Sequence, residues 1–139
     1  PVVTSAALTN SATPIIAGTA EADSTVTVTI GGATYTTTAT NGSWSINLAT
    51  ATPASGSLSL NANGTNAVSV TARDASNNTS TAGTQTLTID TTAPNAPAVT
   101  SAALSNSATP IIGGTAETGS TVTVTVGGAT YTTTATNGT

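Results

Sequence analysis

Five carboxylates are the side chains of this sequence best suited to bind a ligand through charge. They are Glu21, Asp23, Asp74, Asp90 and Glu117. The sequence has no His, Cys or Lys and only one Arg. Oxygen ligands without His or Cys suit Ca²⁺, which takes six to eight oxygens. Clustered carboxylates repel one another unless a cation joins them. The residue types therefore favour calcium if the fold brings these acids together, and the alternative is solvated loop acids that limit aggregation.

Catalysis has little support. The chain lacks the His, Cys and Lys side chains that serve as general bases and activated nucleophiles. A carboxylate pair can cleave glycosides, but Glu21 and Asp23 fall in one short predicted loop with no aromatic cleft beside it. We expect that the protein is not an enzyme.

The charge balance excludes two classes of partner. A single Arg and a net charge of −4 cannot neutralise phosphates, so we expect no nucleic acid and no anionic membrane surface. No apolar run of the length needed to span a bilayer is present, so we expect no membrane insertion in this segment.

The chain repeats itself. Residues 97–139 copy residues 1–43 at an offset of 96, and 36 of 43 positions are identical. The repeating unit is the size of a domain, longer than one turn of a solenoid. We therefore predict a complete repeat over residues 1–90, a Pro-containing linker over 91–96, and over 97–139 the N-terminal part of a second, truncated repeat. This organisation predicts domains in series, cut from a longer polymer.

Alternation of apolar and polar residues predicts β-strands almost throughout. In residues 24–30, Val26, Val28 and Ile30 share one face and Thr residues the other. The predicted strands are 3–8, 13–18, 24–30, 33–40, 43–48, 67–73 and 84–90, with 58–60 as a short extra piece. Turns are predicted at Gly31-Gly32, Asn41-Gly42 and Asn63-Gly64.

Seven short strands with one polar face each predict an all-β fold, an immunoglobulin-like antiparallel β-sandwich repeated in tandem. Trp44 alternates with Ile46 and Leu48, so we expect it in the core rather than on a sugar-binding surface. The predicted core is Val26, Val28, Trp44, Ile46, Val68, Val70, Leu87 and Ile89. Tyr35 is ambiguous, since it could cap the core with its hydroxyl outward.

Three segments, STVTVTIGGATYTTTATNGSWSINL, VSVTARDASNNTS and LTIDTTAP, resemble the bacterial Ig-like repeats of giant adhesins. The resemblance covers essentially the whole chain and includes the biofilm-associated and RTX adhesin families. It implies an extender repeat that holds an adhesive tip away from the cell. It also implies calcium at the joints between repeats.

The predicted topology places the acids at the ends of each sandwich. Glu21 and Asp74 fall in two loops at the N-terminal end, and Asp90 ends the last strand at the opposite end, where it would meet Glu117 of the next repeat. We predict Asp90, Glu117, Glu21 and Asp74 as the metal ligands. Asp23 is not an essential ligand, because its counterpart in the second copy is Gly119.

These observations favour a structural extender in an adhesin on the bacterial cell surface, which supports cell adhesion and biofilm formation and is rigidified by Ca²⁺. The alternative is a ligand-binding Ig-like module that recognises a glycan or a host protein through its loops. The expected partners are adjacent repeats of the same polypeptide, with neighbouring copies in a filament or lattice as an open option. Half a sandwich exposes an apolar face, so we also expect something outside residues 97–139 to cover Val122 and Val124, either strands donated by a neighbouring chain or the rest of a longer polymer.

Overall fold

The computed structural model describes all 139 residues, which form two units, Pro1–Thr92 and Ala93–Thr139. No helix is long and apolar enough to cross a membrane. The strands of the first unit are β1 (Val2–Val3), β2 (Leu8–Thr9), β3 (Ile15–Thr19), β4 (Thr25–Ile30), β5 (Ala33–Thr38), β6 (Ser43–Asn47), β7 (Ser55–Gly56), β8 (Asn63–Arg73) and β9 (Gly83–Asp90). Those of the second unit are β10 (Ala98–Val99), β11 (Gly114–Thr115), β12 (Thr121–Val126) and β13 (Ala129–Thr134).

The first unit is a sandwich of two sheets. One sheet has the order β1-β3-β6, and the other has the order β2-β9-β8-β4-β5-β7. Every strand pair is antiparallel except β2 with β9. The predicted all-β sandwich is confirmed, with one parallel edge pair that the sequence did not indicate.

A single apolar core lies between the two sheets. All eight predicted core residues are buried, and Tyr35 joins them at 2% exposure. The other buried apolar members are Ile16, Ile30, Ala33, Ala39 and Leu48. Because the outward positions of the same strands are mostly Thr and Ser, each strand buries one face and leaves the other in water.

Glycine-containing turns join the central strands. Gly31 and Gly32 have φ of 54° and 80° between β4 and β5, and Asn41 and Gly42 have 50° and 81° before β6. Two successive positive φ angles match the twist of a tight hairpin, which Asn and Gly tolerate best. These two predicted turns are confirmed.

The first predicted strand, 3–8, is wrong as a single strand. It divides into β1, which pairs with β3, and β2, which pairs with β9 of the other sheet. The amides of Thr4 and Ser5 both donate to the Ala17 carbonyl, which ends the first pairing in a bend. The Ala7 carbonyl then accepts from Thr88 at 2.7 Å on the second sheet. The chain thus crosses from one layer to the other.

The predicted turn at Asn63-Gly64 is also wrong, since both residues belong to β8. Asn66 is buried and closes the preceding loop with its own side chain. Its Oδ1 accepts from the Asn61 amide at 2.8 Å, and its Nδ2 donates to the Asn61 carbonyl at 3.0 Å. With the loop closed there, Asn63 and Gly64 pair with Asp90 and Ile89.

The short strand predicted at 58–60 is not formed. The strand in this region is β7, which pairs with β5. Leu58 and Leu60 are instead partly buried and pack against the core. Their alternation reflects burial at the edge of the sandwich rather than strand pairing.

The second unit consists of two strand pairs. β12 pairs with β13 in the register that β4 and β5 have, and β10 pairs with β11 as β1 does with β3. β11 has two residues, whereas β3 has five. The segment of identical sequence, Ile111-Ile112, is not in a strand.

Trp44 should contribute more to stability than any other single side chain of the first unit. Its ring is 4% exposed, and its indole Nε1 has no hydrogen-bond partner, so packing is its main contribution. Trp44→Ala should lower the free energy of unfolding by about 3–5 kcal/mol. Trp44→Phe should cost clearly less, because a ring remains to fill most of the space. Urea unfolding of the two variants checks this, and equal losses would contradict it.

Candidate metal site

Two of the four predicted metal ligands lie together at the N-terminal pole, which we define as the end of the first unit that carries Pro1. Glu21, in the loop from β3 to β4, and Asp74, in the loop from β8 to β9, line one depression together with Pro1. The depression has a volume of about 310 Å³. The structure thus brings Glu21 and Asp74 onto one surface from loops 53 residues apart in the chain.

Asp74 is held by the loop that follows it. Its Oδ1 accepts from the Asn78 amide at 2.8 Å, and its Oδ2 accepts from the Asn78 side-chain Nδ2 at 2.8 Å. The side-chain bond from Asn78, followed by the backbone bond, lowers the pKa of the Asp74 carboxyl. Asp74 is therefore ionised at neutral pH, and any cation would share its oxygens with Asn78.

The loop that carries Glu21 explains why the second copy has Gly119 where the first copy has Asp23. Asp23 has φ of 63°, and its counterpart Gly119 has 86°. The Asp23 amide donates to the Ala39 carbonyl at 2.8 Å, and the Gly119 amide donates to that of Ala135 at 2.9 Å. Glycine and aspartate both tolerate this left-handed conformation. Position 23 is thus constrained by its backbone conformation, and the side chains of Glu21 and Asp23 are both exposed.

Asp90 lies at the C-terminal pole, the opposite end of the first unit, where the chain leaves β9. Its Oδ1 accepts from the Thr92 amide at 3.0 Å. Its strand partner Asn63 holds the next two residues through a single oxygen. Asn63 Oδ1 accepts from the Thr91 amide at 2.8 Å, the Thr91 hydroxyl at 2.9 Å and the Thr92 hydroxyl at 3.1 Å.

The two poles are too far apart to share one ion. β8 runs from Asn63, beside Asp90, to Arg73, next to Asp74. Ten residue steps at about 3.3 Å each separate its ends by roughly 33 Å. No group of three or more His, Cys, Asp or Glu side chains converges in the structure. Neither pole of the first unit therefore brings three of these carboxylates together at one point.

Glu117 belongs to the second unit, in the loop before β12. Its carbonyl accepts from the Ser120 amide at 3.0 Å, and its side chain is exposed. This is the loop geometry of its counterpart Glu21. A pairing of Asp90 with Glu117 stays a prediction.

Asn63 is the residue of functional interest that the sequence patterns missed. The Asn63-Gly64 pattern predicts a turn, whereas Asn63 lies in β8 and holds the first residues of the linker. The sequence alone does not indicate this role, because the register of β8 against β9 is needed to place Asn63 opposite Asp90. No local pattern predicts that register.

The family of bacterial Ig-like domains matches residues 2–91. The chain belongs to that family. The matched residues coincide with the first unit, whose sandwich has the expected fold. Bacterial Ig-like domains typically occur in extracellular or surface proteins. No curated protein matches the chain.

Asp74 should titrate below the ordinary aspartate value of 3.8. Because its folded pKa is lowered, the stabilisation of this loop is fully present above the unfolded pKa and is lost as pH falls through the folded pKa. NMR titration of the Asp74 carboxyl measures this value. Asn78→Ala should raise the pKa towards 3.8, whereas Asn10→Ala, at an exposed site elsewhere, should not. A wild-type value at or above 3.8 would contradict the assignment.

Proposed function

We propose that this chain is a structural extender repeat of a bacterial cell-surface adhesin, which supports cell adhesion and biofilm formation from outside the cell. It acts as a spacer and not as an enzyme. Calcium at the joints between repeats makes the stalk rigid. The family assignment supports an extracellular surface module, and the following points support the more specific role.

The positions of the chain ends in the first unit are the observation that carries the proposal. Pro1 lies at the N-terminal pole, and Asp90 leaves β9 at the C-terminal pole, with the length of β8 between the poles. A repeat that is entered at one pole and left at the other adds its long dimension to the polymer. The two copies share 36 of 43 positions. Near-identical repeats in series suit a spacer, in which each repeat adds length.

The start of the linker is fixed to the sandwich. Three hydrogen bonds to Asn63 Oδ1 hold Thr91 and Thr92 on the C-terminal pole. Pro94 and Pro97 then restrict φ and bias the preceding residues to extended conformations. Such a linker is stiffer than a Gly/Ser chain and suits a spacer.

The acids supply candidate calcium ligands at both poles. At the C-terminal pole Asp90 offers a carboxylate beside the hydroxyl oxygens of Thr91 and Thr92, and Glu117 of the following repeat is the proposed partner. At the N-terminal pole Glu21 and Asp74 share a depression that would face the preceding repeat. Two carboxylates and several neutral oxygens fit the preference of Ca²⁺, and the cation would relieve their repulsion.

A ligand-binding module remains the alternative, with recognition of a glycan or a host protein through the loops. An exposed Trp44 would favour it, because Trp often forms a platform for sugars. That ring is 4% exposed in the core, so it offers no platform in the first unit. The number of near-identical copies in the full gene separates the two functions, since many copies indicate a spacer and a few divergent copies indicate binding.

Removal of calcium should loosen the joints. In small-angle scattering of a chain of several complete repeats, chelator should shorten the maximum dimension, because repulsion between Asp90 and Glu117 is no longer relieved. Asp90→Ala should abolish calorimetric calcium binding at the joint. Asp23→Gly is the matched control and should leave both measurements unchanged, because Gly119 already occupies that position. An unchanged dimension with no calcium bound would leave only the Pro-containing linker and contradict the calcium proposal.

A further inference from the structure

The N-terminal segment of the first unit, residues 1–9, lies alongside β9 and runs in the same direction. β2 pairs in parallel with β9, so that residues 8 and 9 lie opposite residues 88 and 89. At the start of β9, a Cβ placed on Gly83 would collide with the carbonyl oxygen of Pro1, so the two backbones touch there. The segment therefore follows β9 from its first residue almost to its last.

A side chain joins the segment to β9 at the crossover between β1 and β2. The Ser5 amide donates to the Ala17 carbonyl on the other sheet, whereas the Thr88 amide of β9 donates to the Ala7 carbonyl at 2.7 Å. Between these two points, Gln85 Nε2 donates to the Ser5 carbonyl at 2.8 Å. The Oε1 atom of Gln85 is buried without a partner. The Gln85 side chain is thus bonded to the crossover through one hydrogen bond.

Tension along a chain of repeats would pull this segment and β9 in opposite directions. In the second copy the counterpart of Pro1 is Pro97, which follows the linker, and β9 leads into that linker. Tension therefore pulls residue 1 out of the N-terminal pole and Asp90 out of the C-terminal pole. Because the two segments are parallel, they are slid lengthwise past each other. Their bonds then share the load and break together, whereas bonds that are opened from one end break one at a time.

The antiparallel pairing of β1 with β3 is loaded in the same way. Val2 and Val3 lie opposite Thr19 and Gly18, and a pull on residue 1 slides β1 along β3. β1 and β2 are edge strands, one of each sheet. Residues 1–9 precede β3, so a pull that enters at the N-terminal pole reaches these edge pairings before it reaches the core positions of β3.

We propose that residues 1–9 together with β9 form a shear clamp, which bears tension on the repeat and must break before the core opens. Gln85 is the positioning residue of the clamp, because it holds the crossover between β1 and β2 against β9. The proposal rests on the proposed function in one respect, that repeats are joined in series and loaded through their ends. The bonds of the clamp lie within one repeat, so its strength should not depend on calcium at the joints.

The test compares two pulling directions in optical tweezers on the 139-residue chain. The sequence has no Cys, so handles attach only to cysteines that are introduced. In the first geometry the cysteines are one added before Pro1 and Ala93→Cys, which load the clamp lengthwise. In the second they are Asn10→Cys and Ala93→Cys, whose positions both adjoin the C-terminal pole, because residue 9 lies opposite residue 89. The second geometry opens the pairing of β2 with β9 from one end.

At equal loading rate the first geometry should require the larger unfolding force, because the bonds of the clamp share the load. An equal or smaller force in the first geometry would overturn the clamp. That result would leave the stalk proposal standing, since the stalk is tested by its length against repeat number.

Gln85→Met tests the positioning residue, because Met fills a similar space without the donor. In the first geometry it should speed unfolding at constant force by about two- to tenfold, the effect of removing one native hydrogen bond that is broken in the transition state. In the second geometry its effect should be smaller, because the bond to Ser5 is reached only after β2 has separated.

Asn47→Ala is the matched control, because it also removes one bond between a side-chain amide and the backbone. Asn47 Oδ1 accepts from the Ala49 amide at 3.0 Å, and β6, which carries Asn47, is separated from β1 by β3. This substitution should leave the unfolding rate in the first geometry unchanged. Equal acceleration by Gln85→Met in both geometries, or equal effects of Gln85→Met and Asn47→Ala, would overturn the role of Gln85.

Discussion

The packing of Trp44 on Gly18 is the interaction on which the sandwich most depends. The chain has no Phe and a single Trp, so Trp44 and Tyr35 are the two aromatic rings of this core. The Trp44 ring needs a strand neighbour without a side chain, and Gly18 provides it through the pairing of β3 with β6. The rest of the core is Val, Ile, Leu, Ala and one Tyr, which complete the packing around that ring.

The two copies show how far strand formation depends on a partner. The sequence Pro-Ile-Ile occurs at residues 14–16 and 110–112, yet only in the first copy do its isoleucines belong to a strand, the five-residue β3. The hairpin of β12 and β13, by contrast, keeps the full register of β4 and β5. A hairpin closed by Gly-Gly carries its own partner, whereas β3 depends on β6, which lies further along the chain.

Alternation and turn chemistry were enough to predict β4, β5, β6, β9 and the core, because those signals are local. The change of sheet between β1 and β2 was not predictable, since it depends on which carbonyl on each layer accepts the amides of Thr4, Ser5 and Thr88. The role of Asn63 required the register of β8 with β9.

Among the acids, the shared pole of Glu21 and Asp74 followed from topology. The bonds from Asn78 to Asp74 depend on a loop conformation that the sequence does not specify.

The proposed stalk depends on repeats that join end to end through a stiff linker, and the most direct test is length against repeat number. Chains with increasing numbers of complete repeats can be compared by electron microscopy and scattering, with calcium present. If the joints are rigid, the end-to-end distance should grow linearly, by a constant increment for each repeat. Growth with the square root of repeat number, as in a flexible chain, would contradict a stalk built from rigid joints.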